Sequence, residues 1–151
     1  MSPEGRGTPP AEPDLAAHLQ RFVDAQAGAY STVLAELRGG RKESHWIWFI
    51  FPQLAGLGRS VMSEAYAIRS LDEARAYLAH PILGPRLHEC ARLILASGAS
   101  GAEAVLGPLD AMKLRSSMTL FHHADPADPV FPAVLERYFG GRADPLTEAR
   151  L

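Results

Sequence analysis

The most apolar stretch of the chain is Trp46-Ile47-Trp48-Phe49-Ile50-Phe51, and Pro52 ends it. Its aromatic and β-branched residues favour a buried strand, whereas the lack of alternation equally fits a short helix buried on all sides. No second segment of similar quality could pair with such a strand, and an isolated strand leaves its backbone hydrogen bonds unmade. The stretch therefore predicts a helix, with Ser44 as its N-cap.

Helical spacing of apolar residues continues on both sides of that stretch. Two runs precede it, over residues 15–23 and 30–37, and Gly39-Gly40 ends the second one. After it, Ser70 and Glu73 form a capping box that opens another helix. Further helices are predicted over residues 85–95, 101–106, 108–122 and 131–139, and residues 61–68 fit a short helix or an extended segment. We therefore expect an all-α, single-domain orthogonal bundle of about eight helices without significant sheet.

Length and composition set the class of protein. With 151 residues and a formal net charge of -2, the chain suits one domain, and its scattered arginines argue against binding to duplex nucleic acid. The lone cysteine, Cys90, excludes an intrachain disulfide and favours a buried packing thiol in a reducing compartment. No apolar run resembles a signal peptide or a membrane span, so we expect a cytoplasmic protein without membrane contact.

The chain divides into three regions by composition. Residues 1–13 hold four prolines and two glycines, which predicts a disordered leader. The helical domain is expected over residues 14–141, with Asp14 as the N-cap of its first helix. Residues 142–151 are expected to form a C-terminal tail or a short helix.

Four segments in this order carry a resemblance to a known family. They are residues 41–53 (RKESHWIWFIFPQ), 56–60 (GLGRS), 77–84 (YLAHPILG) and 106–121 (LGPLDAMKLRSSMTLF). Together they resemble a bacterial family of small, mainly helical domains of unknown function, which genomes sometimes label "calpastatin". The resemblance implies an all-helical single domain and no established activity. True calpastatins are disordered inhibitors, whereas this chain is apolar enough to fold.

The predicted helix over residues 108–122 carries an unusual set of polar side chains. At 100° per residue, Lys113 shares a stripe with Leu109 and Met112, while Asp110 and Ser117 fall on the adjoining stripe. Buried polar groups require partners or a ligand. The set could be structural, with an Asp110–Lys113 ion pair and serines bonded to helix carbonyls. Alternatively, it forms the floor of a polar pocket.

The segment from Lys42 to Gln53 is a second candidate. His45 could be a satisfied core residue, a ligand-binding donor or a general acid/base. Trp46 and Trp48 point about 200° apart on a helix, so one is expected in the core and the other could form a stacking wall. Gln53, fixed after Pro52 beside the apolar run, is a candidate for amide recognition of a ligand.

The loop Gly56-Leu57-Gly58-Arg59-Ser60 is the third candidate. Glycines before a helix start can present backbone N–H groups to an anion, although a tight surface turn explains the same residues.

The neighbouring histidines His122 and His123 are a candidate metal site. However, adjacent histidines on a helix diverge by about 100°, and no zinc motif is present. The sequence therefore predicts neither a metal nor a cofactor.

These candidates lead to one functional hypothesis. We expect nine residues to converge on one pocket: Lys42, His45, Trp48, Gln53, Gly58, Ser60, Asp110, Lys113 and Ser117. Such a pocket suits a small anionic, ring-bearing metabolite, such as a nucleotide or an ADP-ribose-like compound. If hydrolysis occurs, Asp110 or His45 would be the base, and Lys113 would steady developing negative charge. The alternative is a non-catalytic protein-interaction module, for which the sequence names no partner.

Overall fold

The computed structural model describes residues 15–151, and ten helices occur within that range. They are α1 (Leu15–Ala27), α2 (Tyr30–Arg38), α3 (Ile47–Ile50), α4 (Val61–Ala65), α5 (Leu71–Ala79), α6 (Leu83–Ala96), α7 (Ala102–Leu106), α8 (Pro108–Ala124), α9 (Val130–Phe139) and α10 (Pro145–Arg150). The expected leader and the Asp14 N-cap lie outside the described residues. The all-α, single-domain fold is confirmed, and the two helices beyond the expected eight are the short α4 and α10.

Helix α8 runs through the centre of the fold. It packs against α3, α5, α7, α9 and α10, while α6 covers α2, α5 and α9. The core that these helices share includes Phe22, Tyr77, Leu114, Phe121 and Phe131, all fully buried. Between residues 15 and 151, the only sheet-like contact is an isolated parallel bridge between Leu54 and Ile68. No helix in that range is long and apolar enough to cross a membrane.

The apolar stretch is helical, but Ser44 is not its N-cap. Helix α3 starts after Trp46, which makes no side-chain cap. Ser44 instead donates its hydroxyl to Glu36 Oε2 at 2.6 Å. Glu36 Oε1 accepts from the backbone N–H groups of Glu43 and Ser44 and from the indole of Trp46, at 2.8, 3.0 and 2.9 Å. Ser44 therefore binds the Glu36 carboxylate and does not cap α3, because this carboxylate accepts hydrogen bonds from four donors at once.

Other helix ends follow the local sequence signals. The Ser70 hydroxyl accepts from Glu73 N–H at 3.1 Å and opens α5. Gly140 adopts the left-handed conformation that ends α9. Cys90 is buried in α6, where desolvation raises the pKa of its thiol to about 12, so it is a packing residue.

The faces of α8 differ from the expected pattern in one respect. Leu114, Ser117 and Phe121 are fully buried. Leu109 and Met112, which share the predicted stripe with Lys113, are 71% and 67% exposed. Ala111, in the same turns, is 3% exposed, so the start of α8 buries its other side and this part of the stripe faces the surface.

Candidate functional site

A cleft of about 310 Å³ opens between the loop over residues 53–60, α4, the first half of α8 and the start of α10. Its lining comprises Gln53, Leu57, Gly58, Arg59, Ser60, Ser63, Leu109, Met112, Lys113, Arg115, Ser116, Asp144 and Leu146. Four of the nine expected site residues are among them: Gln53, Gly58, Ser60 and Lys113. The cleft thus unites the glycine loop with the polar face of α8.

The loop wall is held by backbone hydrogen bonds and by close packing. Ile68 N–H donates to Gln53 O at 2.8 Å, and Ala55 N–H donates to Ile68 O at 2.7 Å. Gly56 has a φ of +93°, and the Arg150 guanidinium occupies the space where a side chain at position 56 would stand. These contacts fix the loop against α10 and give the cleft a firm side.

The opposite wall depends on Asp144, which docks α10 onto α8. Asp144 Oδ2 accepts from the hydroxyls of Ser116 and Thr147 at 2.8 and 2.6 Å, and its backbone N–H donates to Thr119 Oγ1 at 2.8 Å. It also caps α10 by accepting from Thr147 N–H at 3.2 Å. This carboxylate has a structural function, because neutral donors inside the fold already surround one of its oxygens.

The loop does not offer an empty helix end to an anion. The Ser60 hydroxyl accepts from Ser63 N–H at 3.1 Å and lies 3.0 Å from the Ser63 hydroxyl. Ser60 is therefore the N-cap of α4, a helix of only five residues. Its contribution to the cleft is a hydroxyl group and not a helix N-terminus.

Three cationic side chains reach the cleft, and they differ in how far they are already engaged. Arg115 donates to the carbonyls of Arg142 and Ala143 at 2.9 and 2.8 Å, which ties it to the chain entering α10. Lys113 Nζ lies 3.6 Å from Asp110 Oδ1. Arg59 is exposed and makes no ion pair or side-chain hydrogen bond with the described residues. Among the described residues Arg59 is thus unpaired and Lys113 is only loosely paired, and these two cations are the least engaged.

Asp110 binds both lysines of the chain. Lys42 Nζ is 2.8 Å from Asp110 Oδ2, and Lys113 Nζ approaches the other oxygen. The expected Asp110–Lys113 pair is therefore present, but it is the longer of two contacts. Lys42 and Asp110 are 8% and 19% exposed and do not line the cleft. Of the three residues, only Lys113 lines the cleft.

The remaining expected site residues lie elsewhere. His45 is exposed on the approach to α3. Trp46 is the core tryptophan, while Trp48 is half-buried, outside the cleft lining, with a buried indole N–H that has no partner in residues 15–151. Ser117 is fully buried, and its hydroxyl is likewise without a partner in that range. The structure therefore does not bring these three residues to the cleft.

Sequence reasoning did not select Arg115, Asp144 and Leu146 as site residues. One signal was available: Asp144-Pro145 followed by Thr147 is a helix start, with Asp as N-cap and Pro in the first turn. That signal predicts α10 but not its position over α8. No cluster of three or more His, Cys, Asp or Glu side chains in the described part of the chain could hold a metal ion.

Comparison with known proteins places the chain in a family. The family model described as "Protein of unknown function (DUF1810)" matches residues 16–151. The crystal structure of the conserved hypothetical protein Rv1873 from Mycobacterium tuberculosis is similar, with a TM-score of 0.87 and 53% sequence identity over 88% of this chain and 95% of that one. A search of curated proteins found no match. The resemblance read from the four sequence segments is thereby confirmed: the chain belongs to the DUF1810 family of proteins of unknown function.

Proposed function

We propose that the cleft binds a small anion with an apolar body, such as a nucleotide or an ADP-ribose-like metabolite. The observation that carries this proposal is the position of two incompletely paired cations, Arg59 and Lys113, beside exposed Leu109 and Met112. Exposed apolar side chains that are grouped around a concave site with a few polar groups are typical of interaction and ligand-binding surfaces.

Charge favours an anionic ligand. The cleft is lined by Arg59, Lys113 and Arg115, and its single carboxylate, Asp144, is hydrogen-bonded within the fold. An anion entering the cleft would therefore meet net positive charge in a partly enclosed space, where Coulomb attraction exceeds its value in bulk water.

Size and shape favour a ligand of modest dimensions. The cleft volume of about 310 Å³ lies at the lower end of the range typical of small-molecule sites. Aliphatic side chains, including Leu57 and Leu146, supply its apolar surface, so the ring of a ligand would rest on them and not on Trp48. The Gln53 amide and the hydroxyls of Ser60 and Ser63 offer hydrogen bonds at the rim.

Hydrolysis remains a prediction separate from binding. Neither His45 nor Asp110 lines the cleft, and Asp110 is already paired with two ammonium groups. Both oxygens of Asp110 therefore already have a partner within the fold. Binding is therefore the function that the geometry supports best.

The exposed apolar side chains support a second candidate, a protein-interaction module. Leu109, Met112 and Leu146 are 71%, 67% and 66% exposed and share the cleft. Grouped exposed apolar residues are typical of docking surfaces. A partner would cover all three side chains, whereas a small ligand within the cleft would leave their outer sides in water.

Titration of the ¹⁵N-labelled protein with ADP, ADP-ribose and inorganic pyrophosphate, followed by NMR, tests the proposal. We expect amide shifts confined to the loop over residues 53–60 and the first half of α8. Lys113→Gln should weaken ADP binding by about tenfold, the effect of losing one charge-assisted hydrogen bond. Arg75→Gln, a change at an exposed cation of α5 outside the cleft, is the matched control.

Absence of shifts with all three compounds at millimolar concentration would remove the small-ligand proposal and leave the interaction module. Equal weakening by Lys113→Gln and Arg75→Gln would show that the anions respond to overall charge alone.

A further inference from the structure

Asp110 forms two ion pairs of different length, and the longer one involves Lys113, a residue that lines the cleft. Lys42 Nζ lies at hydrogen-bond distance, 2.8 Å, from Asp110 Oδ2. Lys113 Nζ lies 3.6 Å from Oδ1, which is within ion-pair range but beyond a hydrogen bond. The carboxylate therefore has one firm partner and one loose partner.

Lys42 is held in place from several sides. Its backbone N–H donates to Val105 O at 2.7 Å, at the end of α7. Its Nζ lies 5.2 Å from the centre of the Trp46 ring, a cation–π contact, and its side chain is only 8% exposed. Asp110 sits in the first turn of α8, where the helix dipole favours a carboxylate. The Lys42–Asp110 pair is thus a fixed part of the fold.

Lys113 has more freedom than Lys42. Its side chain is 23% exposed and lines the cleft. None of its three N–H donors has a hydrogen-bond partner among the described residues, apart from the loose approach to Asp110. An anion in the cleft would therefore compete with Asp110 for the same ammonium group.

We infer that Lys42 is a positioning residue that sets the charge of the cleft: by neutralising Asp110, it leaves the charge of Lys113 available to the ligand. The cluster of Lys42, Asp110 and Lys113 carries one surplus positive charge, and the surplus lies on the side facing the cleft. Without Lys42, Asp110 would hold Lys113 as its own counter-ion. This inference rests on the proposed function, since it needs an anion in the cleft.

The test is an ADP titration by NMR of four proteins: wild type, Lys42→Met, Asp110→Asn and the Lys42→Met/Asp110→Asn double variant. Lys42→Met should weaken ADP binding by about fivefold, the upper range for one partly screened ion pair. The double variant should return to within about twofold of wild type, because it removes the competing carboxylate as well. Asp110→Asn alone should bind ADP at least as tightly as wild type.

The double variant separates charge from structure. It leaves no partly buried ion without a partner, so its ADP affinity can be measured even if Lys42→Met does not fold. If Lys42 only supported the fold, the second substitution would not restore the affinity that the first removed. Lys42→Arg keeps the charge that neutralises Asp110, so it should bind ADP more tightly than Lys42→Met does.

The outcomes of this titration distinguish the positioning role of Lys42 from the proposed binding of an anion in the cleft. If wild type does not bind ADP, both fall. If Lys113→Gln loses binding while Lys42→Met binds ADP as wild type does, the inference is overturned and the proposed function stands. A folded double variant that binds as weakly as Lys42→Met, or an Asp110→Asn protein that binds more weakly than wild type, would overturn the inference in the same way.

Discussion

Two carboxylates hold the chain between α2 and α3, and they do so with opposite chemistry. Glu36 accepts four hydrogen bonds from Glu43, Ser44 and Trp46, all from neutral donors. Asp110 meets two ammonium groups, those of Lys42 and Lys113. The first site is saturated by donors of the fold, while the second retains positive charge that the fold does not use.

This difference separates a structural site from the proposed binding site. Burial alone would raise the pKa of Glu36, but its four hydrogen bonds outweigh burial and lower that pKa to about 2. Every donor near Glu36 has its acceptor, so nothing is left for a ligand. At Asp110, two ammonium groups meet one carboxylate, so one positive charge is not neutralised. The ammonium group of Lys113 lines a cleft with exposed apolar walls. Stability measurements should therefore respond at Glu36, and binding measurements at Lys113.

The largest expected effect is at Glu36. Glu36→Ala should destabilise the protein by about 2–4 kcal/mol, because it leaves the Trp46 indole and the Ser44 groups without an acceptor. Urea unfolding followed by tryptophan fluorescence measures the change. Glu43→Ala is the matched control, since its exposed side chain makes no described contact and only its backbone N–H binds Glu36.

The same site has a pH dependence of defined sign. The pKa of Glu36 is lower in the folded state than its ordinary value of 4.5. The ionised carboxylate therefore contributes fully to the free energy of unfolding above pH 4.5, and this contribution is lost as the pH falls towards about 2. Glu36→Gln should flatten this part of the stability profile. A Glu36→Ala protein as stable as wild type at pH 7 would show that the hydrogen bonds to Glu36 stabilise the fold no more than hydrogen bonds to water would.

An intermediate effect is expected at the loop wall of the cleft. A Cβ on Gly58 would lie 2.5 Å from both Cβ and Oγ of Ser63, so Gly58→Ala must displace α4. We expect a stability loss of about 1–2 kcal/mol, typical of overpacking, together with weaker ADP binding. Gly98→Ala is the control, because nothing lies within 4 Å of the added Cβ. Equal unfolding midpoints for both variants would show that the loop yields without cost.

The smallest expected effect is at Lys113. Lys113→Arg keeps the charge but replaces a compact ammonium group with a planar guanidinium. We expect ADP affinity to fall by about threefold with stability within about 0.5 kcal/mol of wild type, because the Lys42–Asp110 pair stays intact. Calorimetric titration and urea unfolding give the two values. Unchanged affinity would mean that charge alone matters at this position.

The fold was largely readable from local signals. The capping box at Ser70 and Glu73, the glycine stop after α2 and the helical reading of the apolar stretch agree with the structure. The Ser44 cap was wrong because Glu36, eight residues away, offers a stronger acceptor than the helix end does. Leu109 and Met112 were assigned to a buried apolar face because periodicity gives the angle between residues but not which side of a helix the rest of the fold covers.

The candidate site was predictable only in part. Residue type and loop chemistry led to Gln53, Gly58, Ser60 and Lys113, which do line one cleft. Arg115 and Asp144 were missed because their place depends on α10 docking against α8 through Ser116. Trp48 and His45 were expected there on chemical grounds, but Trp48 lies in the four-residue helix α3 and His45 just before it, and neither lines the cleft.

The sequence by itself determined that the chain is helical and which segments form eight of the ten described helices. It also determined that only two of the fifteen basic residues, Lys42 and Lys113, are lysines. These properties follow from composition and from spacing along one segment. The Asp110–Lys113 pair follows from helical spacing, but tertiary structure alone decided that Lys42 also meets Asp110 and lies closer to it than Lys113 does. A difference of less than 1 Å between two ion pairs arises from how α7, α8 and the α2–α3 connection pack, and no periodicity within a single helix contains that information.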